Sequence, residues 1–226
     1  EVGSNAAVIV FDDADLDAAV AGAAASKYRN SRQTCICANR ILVQDTVYDV
    51  FVEKLTETVK GFRIGNGRDD GSTHGPVVTE KAAQNIDAMV RDAIANGAEA
   101  VVGGAIDKQG PCFYQPTILT GVNTRMRVFR EEIFGPVAPI FSFSDEAEAI
   151  AMANDTEFGL ASYIYTRDIG RVWRVSEAIE YGMVGVNEVV ITSDIIPFGG
   201  VKESGMGREG SKYGVEDYIE TKYICM

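Results

Sequence analysis

The sequence predicts an α/β domain whose mostly parallel sheet is covered by helices, and three observations carry that prediction. Short runs rich in Val, Ile and Leu alternate along the chain with capped, helix-forming stretches. The composition is that of a globular protein, 46% hydrophobic and 24% charged over 226 residues. No internal repeat and no long linker interrupts the alternation. The length suits one large domain or two small ones, with a sizeable core.

Each element has a local cause. Asp15 can cap an Ala-rich helix over residues 16–28. Residues 40–44 (Arg-Ile-Leu-Val-Gln) read as a short strand. Asp45 opens a second helix that gathers Val47, Val50, Phe51 and Leu55 on one face. Residues 61–75 are rich in Gly and Asp and read as loop. A third helix runs from about 79 to 96 and stops at Gly97. Val101-Val102 leads into a Gly103-Gly104 turn. Residues 137–143 form a strand, where Pro139 argues against a central position because proline has no N–H to donate. Asp145 and Glu148 resemble a capping box ahead of a helix over 147–153. A strand at 162–165, a helix at 169–179 and a strand at 183–186 follow. The final stretch, 218–226, is apolar and β-prone with no helix after it, so it reads as an edge strand that seeks a partner chain. Parallel crossovers place loops at the carboxyl edge of the sheet, where ligands are expected.

Charge and cysteine usage narrow the function classes. Lys and Arg total 21 against 33 Asp and Glu, a net charge of −12, which argues against nucleic-acid and polybasic membrane partners. No apolar run approaches the ~20 residues of a membrane helix. The chain opens on Glu1 without a basic n-region, so no secretory signal is visible and the sequence reads as starting within a longer protein. Four cysteines (Cys35, Cys37, Cys112 and Cys225) are too few for a disulfide scaffold and fit a reducing, cytoplasmic setting. The lone His74 matches no zinc-ligand spacing, so no metal site is expected.

Five segments carry candidate chemistry. In Asn30-Ser31-Arg32-Gln33-Thr34-Cys35-Ile36-Cys37, between a helix and a strand, Cys35 is either a nucleophile or an inert buried thiol. Cys37, two positions on, shares its face if the segment is extended. Glu1 is a general base if buried near a thiol, and otherwise a solvated residue. Glu131-Glu132-Ile133-Phe134-Gly135-Pro136-Val137 offers a carboxylate for ribose hydroxyls and a ring for a flat cofactor, or else a charged turn with one core Phe. Arg29 can grip a carboxylate or complement the helix macrodipole. Pro197-Phe198-Gly199-Gly200 can wall a pocket. The literal GxGxxG at 205–210 follows no strand and is rejected as a dinucleotide fingerprint.

Taken together, and with Phe11-Asp12-Asp13-Ala14-Asp15, Asn154, Phe158-Gly159-Leu160, Gly185-Val186-Asn187-Glu188 and 197–214, these segments resemble the C-terminal half of the aldehyde dehydrogenase superfamily, within it the succinate-semialdehyde branch. The resemblance spans essentially the whole chain. It implies that Cys35 is the nucleophile and Glu1 the general base, that Glu132 holds the nicotinamide ribose, and that Phe134 lies beside the nicotinamide. It implies that Arg29 and a hydroxyl of Thr192 or Ser193 bind the distal carboxylate of the substrate, that Phe198 lines the aldehyde pocket, and that Cys35 and Cys37 form a redox-sensitive pair. It further implies a catalytic domain over 1–214, an oligomerisation segment over 215–226 and a homo-oligomer. The N-terminal cofactor-binding domain falls outside this chain. NAD or NADP would be the cofactor and a small carboxylated aldehyde the substrate.

In the chemistry so implied, the Cys35 thiolate forms a thiohemiacetal, hydride leaves to the nicotinamide, and water activated by Glu1 hydrolyses the thioester. The chain alone is then expected to turn over little. Rival expectations are a dehydrogenase for another carboxylated aldehyde, such as glutarate semialdehyde, and a non-catalytic, fold-stable fragment. Ser4 and Arg32 depart from the family's pattern, which usually has glycine at both positions.

Overall fold

A computed structural model describes residues 3–226; Glu1, the expected general base, and Val2 lie outside the described residues. Nine strands and six α-helices follow in chain order among them. They are β1 (Ala7–Val10), α1 (Leu16–Tyr28), β2 (Arg40–Gln44), α2 (Asp45–Lys60), α3 (Glu80–Ala95), β3 (Glu99–Val102), β4 (Thr117–Thr120), α4 (Arg127–Arg130), β5 (Val137–Phe143), α5 (Glu146–Asn154), β6 (Phe158–Gly159), β7 (Ala161–Tyr165), α6 (Ile169–Ala178), β8 (Met183–Val186) and β9 (Val201–Lys202).

Seven strands form one sheet in the order β3-β4-β5-β2-β1-β7-β8. All neighbours run parallel except β3 and β4, so the sheet is mixed but mostly parallel. Alternate side chains of β1 enter opposite cores. Val8 and Val10 pack with α1 and α2 through Ala19, Ala23, Phe51 and Leu55. Ala7 and Ile9 face α3, α5 and α6 through Ile86, Val90, Ala149 and Val175. Burial on both faces explains why β1 shows no polar alternation, and why its four residues give no strand pattern in the sequence. The helix starts follow the expected chemistry. Asp15, Thr79 and Asp145 each accept a backbone N–H in the first turn of their helices. The Glu148 carboxylate turns back to the Ser144 N–H at 2.7 Å, one residue short of a capping box with Asp145.

Three expectations are corrected. β5 is interior despite Pro139: it pairs with β4 through Pro139 and with β2 from Ile140 onward, so the missing donor falls where the strand changes neighbours. Residues 219–226 have no ladder in the single chain, and Ile219, Tyr223 and Ile224 are exposed. The loops that carry the candidate site meet at the amino edge of the sheet, not the carboxyl edge. The 29–39 connection leads from α1 into β2, 131–136 leads into β5, and 3–6 leads into β1. A helix that has crossed the sheet must re-enter it at the amino end of the next parallel strand.

Buried side chains tie those three connections together. Asn39 Nδ2 donates to Asn5 Oδ1 at 2.8 Å and to the Glu131 carbonyl at 2.9 Å. Asn39 Oδ1 accepts from the Ile133 N–H at 3.1 Å. Asn5 Nδ2 reaches the Phe129 carbonyl at 3.0 Å. Arg40, fully buried, donates to the carbonyls of Asn5, Met152 and Ala153 and to the Tyr181 hydroxyl, with its guanidinium 4.8 Å from the Phe129 ring centre.

The carboxyl edge is closed differently. The Asp13 carboxylate, beyond β1, takes hydrogen bonds from the Thr166 hydroxyl, the N–H groups of Arg167 and Asp168, and Arg171 Nη1 at 2.6 Å. Burial pushes this carboxyl up, but the hydrogen bonds and the Arg171 cation outweigh it and hold the group below its ordinary value.

Asn39→Ala leaves the Ile133 N–H and the Asn5 amide oxygen buried without their partner. The substitution is expected to lower the unfolding free energy by about 1–3 kcal/mol, read as a reduced urea midpoint with an unchanged slope.

Candidate active site

The segment before β2 is built on unusual backbone. Asn30, Ser31 and Arg32 have φ of 51°, 52° and 62°, three successive non-glycine residues in the left-handed region. That conformation costs about 1–2 kcal/mol per residue and persists only where the surroundings fix it. Here Asn30 Nδ2 donates to the Gln33 carbonyl at 3.2 Å and Gln33 N–H to the Asn30 carbonyl at 3.0 Å. Ser31 Oγ donates to the Gly75 carbonyl at 2.9 Å, and Gln33 Oε1 accepts from the Val78 N–H at 2.7 Å. The turn is thereby pinned to the 75–78 strip.

Cys35 sits in the tight turn that follows, closed by the Cys37 N–H on the Thr34 carbonyl at 3.0 Å. The segment is a turn, not the extended strand that would align Cys35 with Cys37. Cys37 is buried and carries a free thiol, so the redox pair is not joined here. Cys35 is half-buried. It packs against the same apolar cluster as Ile191 and Phe198. Tyr163 of β7 sends its hydroxyl to the Ile36 carbonyl at 2.6 Å. Burial pushes the Tyr163 phenol up, so the group stays a donor. On the far side of the turn, Ser26 Oγ accepts the Ala38 N–H at 3.0 Å. Lys27 Nζ donates to the carbonyls of Ala38 and Asn39. Burial first, and then the Arg32 cation, push the Lys27 ammonium well below its ordinary value.

Glu132 and Phe134 stand at the same edge. Asn39 holds the backbone on both sides of Glu132, through Glu131 and Ile133. The Glu132 side chain is 23% exposed and Phe134 41% exposed, with φ of 49° at Phe134. Arg32 Nη1 donates to Glu132 Oε1 at 2.8 Å. A partly exposed carboxylate beside an exposed ring matches the chemistry of a hydroxylated, flat ligand, and so fits a nicotinamide riboside.

The remaining candidates sit further out. Arg29 follows α1, and its carbonyl receives the Cys37 thiol at 4.0 Å. Its side chain is exposed and lines a shallow groove with Tyr28, Phe62 and His74. Thr192 and Ser193 lie on an exposed loop, with Ser193 Oγ donating to Asp194 at 3.2 Å. Phe198 is fixed by a two-way backbone pairing with Glu209. Ser4 is fully buried, and its hydroxyl has no hydrogen-bond partner among the described residues. The glycine-rich run 205–210 is a loop that lines a groove with Phe198 and opens no α-helix. Asn5, Lys27, Asn39, Arg40 and Tyr163 carry roles that sequence patterns did not assign; for Asn5, Asn39 and Arg40 the one signal was a polar residue at the entry to a strand. Among the described residues, no group of three or more His, Cys, Asp or Glu is arranged to hold a metal ion, and no helix is long and apolar enough to cross a membrane.

Comparisons with known proteins agree with this architecture. Over all 226 residues, the chain is 57% identical to the NADP(+) succinate-semialdehyde dehydrogenase of Escherichia coli and 57% identical to the glutarate-semialdehyde dehydrogenase of Pseudomonas aeruginosa. Each alignment takes in 100% of this chain and 47% of the relative, so the chain spans about half the length of the curated relatives it matches. The crystal structure of an E. coli NADP dependent enzyme superposes with a TM-score of 0.97 at 57% identity, over 99% of this chain and 47% of that one. The model of the aldehyde dehydrogenase family matches residues 1–224, and the chain belongs to that family.

Proposed function

We propose that these residues form the catalytic half of a dehydrogenase acting on a short aldehyde with a distal carboxylate, succinate semialdehyde first among them, with Cys35 as nucleophile. The observation that supports this most is the setting of Cys35. The half-buried thiol lies in a turn anchored on both flanks, at the same edge as the Glu132 carboxylate and against the same apolar cluster as Phe198. A fixed but reachable sulfur is what covalent catalysis requires. In this reading residues 1–214 are the catalytic domain and 215–226 serve self-association. The exposed Tyr218, Ile219, Tyr223 and Ile224 supply an apolar edge for a second copy.

The Cys35 thiolate adds to the carbonyl carbon, and the backbone N–H of Cys35 itself stabilises the oxyanion that forms. NAD or NADP, when bound, supplies the hydride acceptor. Glu132 would accept hydrogen bonds from its ribose hydroxyls, and Phe134 would pack beside its flat ring. Oxidation leaves the acyl group on sulfur as a thioester. Water that has lost a proton to the Glu1 carboxylate hydrolyses the thioester and returns the thiol. Arg29, with a hydroxyl of Thr192 or Ser193, binds the substrate carboxylate, and Phe198 lines the path of its methylenes. A local cation is needed because the chain as a whole, at −12, repels an anionic substrate. The relatives' names include both succinate and glutarate semialdehyde, so a substrate one methylene longer is the second reading. The rest of the cofactor site belongs to the half of the relatives that this chain does not match, and these residues alone turn over little.

In the full polypeptide that contains these residues, Cys35→Ser is expected to abolish oxidation of succinate semialdehyde while the melting temperature stays close to wild type. Arg29→Ala is expected to raise KM for succinate semialdehyde by about 10–100-fold, the worth of one charge-assisted hydrogen bond, and to change KM for uncharged butanal less than about twofold. Equal effects on both aldehydes would remove Arg29 from the substrate site.

A further inference from the structure

Arg32 is a fully buried charged side chain beside the Cys35 turn, and the mechanism above does not use it. It is fully buried, at φ 62°. Each guanidinium nitrogen has a partner. Nε donates to the Ala38 carbonyl at 3.2 Å, Nη2 to the Cys37 carbonyl at 3.0 Å and Nη1 to Glu132 Oε1 at 2.8 Å. The guanidinium carbon lies 5.7 Å from the Phe134 ring centre. The first two bonds close a loop from residue 32 to residue 38, with Cys35 inside it. The third joins that loop to the segment entering β5.

The charge balance makes the third bond consequential. Lys27 is also buried and shares the Ala38 carbonyl with Arg32, so two basic side chains converge on one backbone oxygen. Glu132 is the carboxylate whose charge acts on both. Drawing Glu132 away from Arg32 strips a buried guanidinium of its counter-charge, a costly state that the loop relieves by moving.

We infer that Arg32 is a positioning residue that clamps the Cys35 turn to Glu132, so that a ligand whose hydroxyls compete for the Glu132 carboxylate loosens the turn. Cofactor occupancy and Cys35 mobility are then reciprocally linked. The ligand arm of this inference rests on the reading of Glu132 as a ribose holder, whereas the clamp itself does not.

The test follows alkylation of Cys35 by iodoacetamide in the full polypeptide, resolved from Cys37, Cys112 and Cys225 by peptide mass spectrometry. R32G removes the guanidinium and suits the left-handed backbone; E132Q keeps the shape and removes the counter-charge. Without ligand, both variants are expected to speed Cys35 alkylation about fivefold or more, with Cys112 unchanged as the control for folding. Saturating NAD+ or NADP+ is expected to speed Cys35 alkylation in wild type and to have no effect in R32G, a difference that a purely structural role would not produce. Wild-type Cys35 rates in both variants overturn the clamp, and E132Q alone decides if R32G does not fold. A dinucleotide response that persists in R32G overturns the linkage. Turnover of succinate semialdehyde is measured separately, so loss of the enzymatic reading leaves the ligand-free arm intact.

Discussion

The arrangement depends on one buried side chain amide. Asn39 spends both of its donors and its acceptor on two other chain segments, the 3–6 and 131–136 connections. Those bonds hold the entries to β1, β2 and β5 side by side. Hydrogen bonds of this kind add little net stability each, but leaving them unmade in the interior is expensive. The seam therefore acts as a register. It admits one relative placement of the thiol loop and the Glu132 loop and penalises the alternatives. Arg40, on the next residue, extends the same logic to the carbonyls that end α5.

Against that rigid seam stands a strained turn. Three consecutive left-handed residues are carried by the turn's own side chains and by the 75–78 strip. Strain of this kind is affordable where position matters more than stability. It gives Cys35 a narrow range of positions without enclosing it. The buried Lys27 and Arg32 side chains hold the Ala38 carbonyl, and the phenol of Tyr163 fixes the Ile36 carbonyl.

Much of the fold was legible in the sequence. Cap residues Asp15 and Asp145 and the apolar face of α2 mark their helices, because helix starts and amphipathic periods are local signals. β1 and β4 were not legible, since four residues buried on both faces carry no alternation. Pro139 misled because the constraint on proline concerns which neighbour its N–H would meet, and this is a property of the sheet. The edge of the sheet could have been read: Cys35 follows a helix and precedes a strand, and such a connection returns to the amino end. The individual chemistry of the 29–37 and 131–137 segments was visible as residue types. The Arg32–Glu132 pair was not, because a hundred residues separate its members and nothing in either segment points to the other. Likewise, Asn39 looks like any polar residue before a strand until its three partners are known.

The tie between Asp13, Thr166 and Arg171 closes the opposite rim of the sheet with a carboxylate of its own. Strands of four and five residues separate the two rims by about 13–17 Å. Each rim is held by hydrogen bonds independent of the other, so the domain behaves as a plate with one working side. A fluorophore, affinity handle or inserted peptide anchored near the Asp13 rim would ride on the protein without approaching the turn that holds the sulfur.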